Sequence, residues 1–215
     1  MRQARGSLVL SKEEQMTFET AAMQLITPRV AFPPQQDLEP AAFAILDEAP
    51  ADVVARETLL DDCFGSARFL KTCERLREGR TPAPGLAFVA KDAEGELIGT
   101  LRLWNIAAAG RAALLLGPLA VAHEARSLGI GGAMIRASLA RARALGHHAV
   151  LLVGDAPYYQ RFGFERRLTE KLTMPGPVER ARFLGLELTA GTLEGANGRV
   201  TPSSAPMLRV MPCAA

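Results

Sequence analysis

Apolar positions change their spacing several times along this 215-residue chain, and each change marks an element. Phe43 and Ile45 alternate with their neighbours as in a short strand. Pro50 opens a helical stretch to about Phe64, with Val53, Leu60 and Phe64 on one side. Ser66 is placed to N-cap a second helix carrying Phe69, Leu70, Cys73 and Leu76, which the prolines between Gly79 and Gly85 end. Residues 86–90 read as a strand, 92–95 as a hairpin turn with Gly95 at a positive φ, and 96–104 as the returning strand. A loop at 107–110 leads to a third strand, 112–121. The period then becomes helical over 127–145, where Met134, Ile135, Leu139, Ala142 and Leu145 share a face. Residues 149–153 are almost wholly apolar, as in a strand buried on both sides, and the strand–helix–strand order predicts a parallel crossover. Tyr158 to Arg161 fits a short helical turn. Beyond Glu165, strand-like pieces at 168–174 and 183–188 flank a Pro175-Gly176-Pro177 break. The pattern predicts an α/β domain with a mixed, mostly antiparallel sheet of six or seven strands.

Residues 1–40 stand apart. They are weakly patterned, with one amphipathic stretch at 12–26 (Met16, Ala22, Met23, Ile26), and end in Phe32-Pro33-Pro34-Gln35-Gln36-Asp37. The expected organisation is an arm at 1–40, partly disordered or docked on the domain or on a second subunit, a domain at 41–190, and a tail at 191–215. The arm and the C-terminal strands are the candidate contacts of a homodimer.

Composition narrows the function classes. A hydrophobic content of 48% supports a real core, and a net charge of +2 from scattered arginines does not suggest nucleic-acid binding. Those arginines read as a solvated surface. Cys63, Cys73 and Cys213 form no metal spacing, and the first two read as small buried hydrophobes. His147-His148 follow Gly146 at a helix exit, a capping or solvent position, so no metal is expected. No apolar run reaches membrane-spanning length, and Lys12, Glu13, Glu14 and Glu19 interrupt any secretory leader. A reducing cytoplasm away from the membrane follows as the expectation.

The chemistry concentrates between Leu114 and Phe164. Gly117-Pro118 interrupts a strand; proline has no N–H for the ladder, so pairing stops or bulges there. Leu119, Ala120 and Val121 then have backbone groups available to an elongated amide-bearing ligand lying as a pseudo-strand. Next, Arg126-Ser127-Leu128-Gly129-Ile130-Gly131-Gly132 delivers the chain to a helix N-terminus with few large side chains. That turn reads either as a pyrophosphate cradle or as a turn that packs a helix closely on a sheet. It is neither a dinucleotide fingerprint nor a P-loop.

Three ordered segments, Leu116 to Val121, Arg126 to Gly131 and Tyr159-Gln160-Arg161-Phe162-Gly163-Phe164, together resemble the GCN5-related N-acetyltransferase (GNAT) family over about residues 42–190. The turn matches that family's [Gln/Arg]-x-x-Gly-x-[Gly/Ala] signature and the last segment its Tyr-x-x-x-Gly-Phe ending. A bacterial branch of N-acetyltransferases is the nearest in pattern. The resemblance implies a sheet with helices on both faces and a splayed strand pair, here 112–121 and 149–153. It implies acetyl-CoA as co-substrate, with pantetheine on the backbone of Leu119 and Val121 and the pyrophosphate on the amides from Arg126 through Gly131 or Gly132. The implied reaction is direct attack by a primary amine, of a small molecule or a protein, on the thioester. A strand N–H near Leu119 or Ala120 would stabilise the oxyanion.

Tyr159 matches the family's general-acid tyrosine, the favoured reading; the other is an aromatic anchor with a locally satisfied hydroxyl. Tyr158 reads as packing. The strand 112–121 carries no Asp or Glu, a departure from the carboxylate base that family members often hold there. Glu124, His123 and Asp155 are nearby in sequence but read as surface or capping groups. A non-catalytic acyl-CoA-binding or sensing domain therefore stands as the alternative.

Overall fold

The structure is a computed structural model that describes residues 43–203. The arm at 1–40 with its stretch at 12–26, Cys213 and the chain after 203 lie outside the described residues. The domain is built on eight strands: β1 (Ala44–Asp47), β2 (Ala87–Lys91), β3 (Leu97–Ala108), β4 (Arg111–Val121), β5 (Ala149–Val153), β6 (Leu172–Thr173), β7 (Phe183–Glu187) and β8 (Gly198–Pro202). The main path runs β1-β2-β3-β4-β5-β7, antiparallel except for β4–β5, while β8 pairs with the far end of β3 and in parallel with β6. The part of the expected tail up to Ser203 thus contributes a strand to the sheet.

Four α-helices accompany it: α1 (Val53–Phe64), α2 (Glu74–Arg77), α3 (Ile130–Ala144) and α4 (Ala156–Gln160). Helix α3 lies on the face that carries Ala90 and Gly99; a Cβ at Gly99 would stand 3.1 Å from Met134 Sδ and 3.2 Å from Ile130 Cγ2. Helix α1 is tied to the opposite face. Its Arg56 shares Glu48 with Arg102, whose side chain alternates away from those of Leu101 and Leu103. Arg56 is 5% exposed, so these arginines are not the solvated surface that composition suggested.

Three expectations about local structure change. The second helix breaks into a 3-10 segment, Ser66–Leu70, and the four-residue α2. Gly65, not Ser66, occupies the cap position and no side chain caps it, so Phe69 and Leu70 are 54% and 84% exposed while Leu76 is buried. Tertiary packing outweighs helical spacing in so short a segment. The helix expected from 127 begins at Ile130, because Ser127 and Gly129 hold φ of 73° and 79°. The segment 168–174 is a 3-10 turn, Arg166–Thr169, followed by the two-residue β6.

Thr100 is fully buried in the middle of β3, and its hydroxyl has no hydrogen-bond partner among the described residues. A buried hydroxyl left unpaired costs stability. Thr100→Val, which keeps the shape, is expected to raise the thermal midpoint by about 2–4 °C, as read by calorimetry. An unchanged or lower midpoint would mean the hydroxyl is satisfied.

Candidate active site at the parting strands

Strands β4 and β5 pair over Leu114↔Val150 and Leu115↔Leu151 and no further, although both continue. On its other side β5 stays paired to its end, through Val153↔Phe183 and the Gly154 N–H on the Arg182 carbonyl at 2.9 Å. The gap therefore opens on the β4 side alone. It opens where Gly117-Pro118 interrupts β4: the β3–β4 register shifts between Leu101 and Leu103, and the Trp104 indole N–H donates to the Gly117 carbonyl at 2.7 Å.

Register also decides which backbone groups face the gap. The Ala122 N–H is spent on the Ile98 carbonyl at 2.9 Å, and Ala120 lies opposite Thr100 in the same ladder. Backbone groups alternate along a strand, so Ala120 faces β3 while Leu119 and Val121 face away from it, towards the gap. Among the described residues the Val121 carbonyl accepts from the weak thiol donor of Cys63, at 3.5 Å.

One cavity, of about 500 Å³, lies beyond Val121. Arg126, Ser127, Gly129, Ile130, Gly131 and Gly132 line it, with Arg136, Tyr158, Arg161 and Phe162 opposite. The first bond inside α3 runs from the Ala133 N–H to the Gly129 carbonyl at 3.0 Å. The N–H groups of Ile130, Gly131 and Gly132 thus have no partner within the 15-residue helix and stand at its positive end. Gly129 makes this entry possible, since an L side chain is strained at its φ of 79°. Three guanidinium groups and no carboxylate belong to this wall among the described residues.

A second cavity, of about 600 Å³, occupies the gap itself, between Leu116–Leu119 of β4 and Val153–Asp155 at the end of β5. Tyr159 stands in it. Its ring lies so close to Gly154 that a Cβ there would be 2.2 Å from Cε2, and its edge meets Tyr158 with centroids 5.1 Å apart. Burial pushes the Tyr159 phenol up to about 12; Tyr158 and Asp155 add to the rise and Arg182 opposes it. The far wall is formed by Phe64, Arg68, Leu70 to Cys73 and Arg77 on one side and by Pro177 to Glu179 and Arg182 on the other. Burial also pushes the Cys73 thiol up, which disfavours a thiolate there.

Of the residues singled out from sequence, Arg126, Ser127, Gly129, Ile130, Gly131, Gly132 and Val121 come together in the first cavity, and Leu119 and Tyr159 in the second. Ala120 is 3% exposed with its backbone turned to β3, and Leu128 is 54% exposed outside both cavities. Tyr158 does more than pack: its hydroxyl reaches α3, 3.0 Å from where a Gly131 Cβ would be. Sequence reasoning missed Arg136, Arg161 and the carboxylate of Glu179. Arg136 was findable, since it lies one helical turn after Gly132. Glu179 was not, because only folding carries the Pro175-Gly176-Pro177 segment to the gap.

Comparison with known proteins agrees with this fold. The family described as an acetyltransferase (GNAT) domain matches residues 83–166. The uncharacterized N-acetyltransferase YhbS of Escherichia coli is 31% identical over 155 residues, 71% of this chain and 92% of that protein. The crystal structure of Escherichia coli YhbS in complex with CoA superposes with a TM-score of 0.67 at 29% identity, over 78% of this chain and 94% of that one. A GNAT family acetyltransferase from Brucella melitensis, solved with acetyl-CoA, shares the fold at a TM-score of 0.55 and 24% identity, over 76% and 97% of the two chains. The chain belongs to the GCN5-related N-acetyltransferase family and is an acyltransferase of that family.

Proposed function

We propose that the protein transfers an acetyl group from acetyl-CoA to a primary amine by direct attack. The observation that carries this reading is the pair of backbone positions turned away from β3, Leu119 and Val121, in a gap that joins a phosphate-suited helix end to a cavity holding a protonated tyrosine. The pyrophosphate lies on the N–H groups of Ile130, Gly131 and Gly132, flanked by Arg126, Ser127 and Gly129. Pantetheine runs along Leu119 and Val121 as a missing strand would, and brings the thioester beside Tyr159. The acetyl-CoA complex of the Brucella relative and the CoA complex of YhbS support this donor.

The amine nitrogen attacks the thioester carbonyl, and the oxyanion takes a hydrogen bond from the Leu119 N–H. As the C–S bond breaks, its electrons go to sulfur, which accepts a hydrogen bond and proton from the Tyr159 hydroxyl. The nitrogen gives up one proton to solvent and Tyr159 regains one from solvent, so the products are an N-acetylated amine and the CoA thiol. Asp155 and Glu179 are the carboxylates in this cavity, in place of one on β4. The unpaired thiols of Cys63 and Cys73 suit a reducing cytoplasm.

Saturating acetyl-CoA, at about a hundred times its Kd, is expected to raise the thermal midpoint of the full chain by about 5–10 °C. No shift with either CoA or acetyl-CoA would sink the donor assignment. A panel of primary amines followed by CoA thiol release then separates an enzyme from an acyl-CoA sensor.

A further inference from the structure

We infer that the acceptor is an aminocarboxylate, an amine whose own carboxylate is held by Lys71 and Arg182 in the cavity of Tyr159. The inference rests on the reading above, which brings the thioester to that cavity, and starts from which charges on its wall are already spent. The charged side chains of the lining are Arg68, Lys71, Arg77, Asp155, Glu179 and Arg182. Arg68 Nε donates to Asp61 at 2.8 Å and its Nη2 to Glu57, while Arg77 Nε donates to Glu74 at 2.6 Å. Asp61, Glu57 and Glu74 are not part of the lining, so these two arginines are answered from outside the cavity. Among the described residues, Lys71 and Arg182 have no carboxylate at ion-pair distance, and the Asp155 and Glu179 carboxylates have no cation there. Two cations and two carboxylates thus border one space without neutralising each other. Such a wall fits a ligand that carries both signs, whereas a diamine leaves the cations unanswered.

Local contacts place the two cations. Lys71 Nζ stands 4.5 Å over the ring of Phe64, which also lines the cavity. The Arg182 backbone is fixed at the gap, with its N–H on the Glu179 carbonyl at 3.0 Å and its carbonyl taking the Gly154 N–H at 2.9 Å. Its guanidinium is near enough to oppose the rise of the Tyr159 phenol. The segments that carry Lys71 and Arg182 are fastened together: the Thr72 hydroxyl donates to the Pro177 carbonyl and Arg75 Nη1 to the Pro175 carbonyl at 2.8 Å. A wall held in this way loses less freedom when a ligand binds. The planar fork of Arg182 suits a carboxylate, and Lys71 adds a point charge. Asp155 and Glu179 attract the ammonium form of the amine, and Phe64, Leu70 and Val178 offer an aliphatic side chain an apolar surface.

Release of CoA thiol from acetyl-CoA by the full chain tests this, with leucine, leucinamide, γ-aminobutyrate, its carboxamide and putrescine as acceptors. At least one aminocarboxylate is expected to exceed its carboxamide and putrescine about ten- to a hundredfold in kcat/KM. R182A and K71A each shrink that ratio by raising KM for the aminocarboxylate, and R182K keeps part of it. The Kd for acetyl-CoA, read by isothermal titration, stays within about twofold in all three. Carboxamides or putrescine that match the aminocarboxylates overturn the inference, as does a ratio that survives in the double variant. Acetyl-CoA that binds the parent but gives CoA thiol with none of these amines also overturns it and leaves the donor assignment standing. Acetyl-CoA that does not bind the parent defeats the donor assignment itself, so the two failures are distinct.

Discussion

Replacing Tyr159 by Phe is expected to lower kcat for acetyl transfer by about 100- to 1000-fold and to leave the affinity for acetyl-CoA within about twofold. The change removes one oxygen and keeps the ring that fits against Gly154 and meets Phe164 edge-on at 5.9 Å, so the fold has no reason to change. On the proposed mechanism, what is lost is the hydroxyl that would meet the departing sulfur. A thiolate is a reasonable leaving group in water, but in a half-buried cavity its charge lacks solvent and depends on this donor. The phenol is suited to the role because it holds its proton: with its value pushed up to about 12, it stays neutral throughout the working range. The sign of the pH dependence follows. The required form is the protonated one, so deprotonation of Tyr159 adds no alkaline fall in kcat below about pH 10. Steady-state kinetics on an amine identified by the panel reads all three quantities. Unchanged turnover in Tyr159→Phe would return Tyr159 to the anchor role that its ring contacts alone would explain.

The second large effect is on stability. Glu48→Ala is expected to cost about 3–5 kcal/mol, a large part of the total stability of a typical domain. The Glu48 side chain is 7% exposed and meets Arg56, also 7% exposed, and Arg102, 14% exposed, with Arg102 Nε at 2.7 Å. Removing it leaves the Arg102 guanidinium out of water without its carboxylate and Arg56 with Glu57 alone. Burial pushes the Glu48 carboxyl above its ordinary range against the pull of Arg56. A folded-state value above the unfolded one favours the fold while the group is protonated, and that contribution is lost as the pH rises through the folded value. The ionised carboxylate is thus kept as a counter-charge to two arginines rather than as a net source of stability. Glu48→Gln, which keeps an acceptor oxygen, is expected to lose less. Urea unfolding measures both, and a Glu48→Ala variant within about 1 kcal/mol of the parent would contradict the account. The ion chain continues from Arg56 through Glu57 to Arg68, which lines the cavity of Tyr159. Loosening α1 therefore also loosens a wall of the cavity that holds Tyr159.

Much of the donor side was legible in the chain before folding. A proline in an otherwise apolar strand has a local consequence, loss of an N–H, and the β4–β5 ladder does end two residues before Gly117. Glycines ahead of a helical period also act locally, and α3 starts where Gly129 turns the backbone. The same locality accounts for the failures. Ser66 looked like a cap and Phe69 and Leu70 like a buried stripe, but five residues of 3-10 helix have too few contacts to hold a stripe inward. The scattered arginines carried no sign that Arg56 and Arg102 would meet one carboxylate, because Glu48 and Arg102 are 54 positions apart.

The sequence by itself determined the strand interruption at Gly117-Pro118, the glycine-led entry to α3 and the tyrosine pair, because each depends on residues a few positions apart. Tertiary structure alone decided that Leu119 and Val121, and not Ala120, turn their backbones to the gap, since strand register against β3 sets that alternation. It alone divided the tyrosines, Tyr158 to the cavity at the end of α3 and Tyr159 to the cavity between the strands. It also gathered Arg136 and Arg161 around Phe162 and carried Glu179 to the cavity of Tyr159. These juxtapositions join segments distant in the chain, and the packing energy that holds them is not expressed in any local pattern.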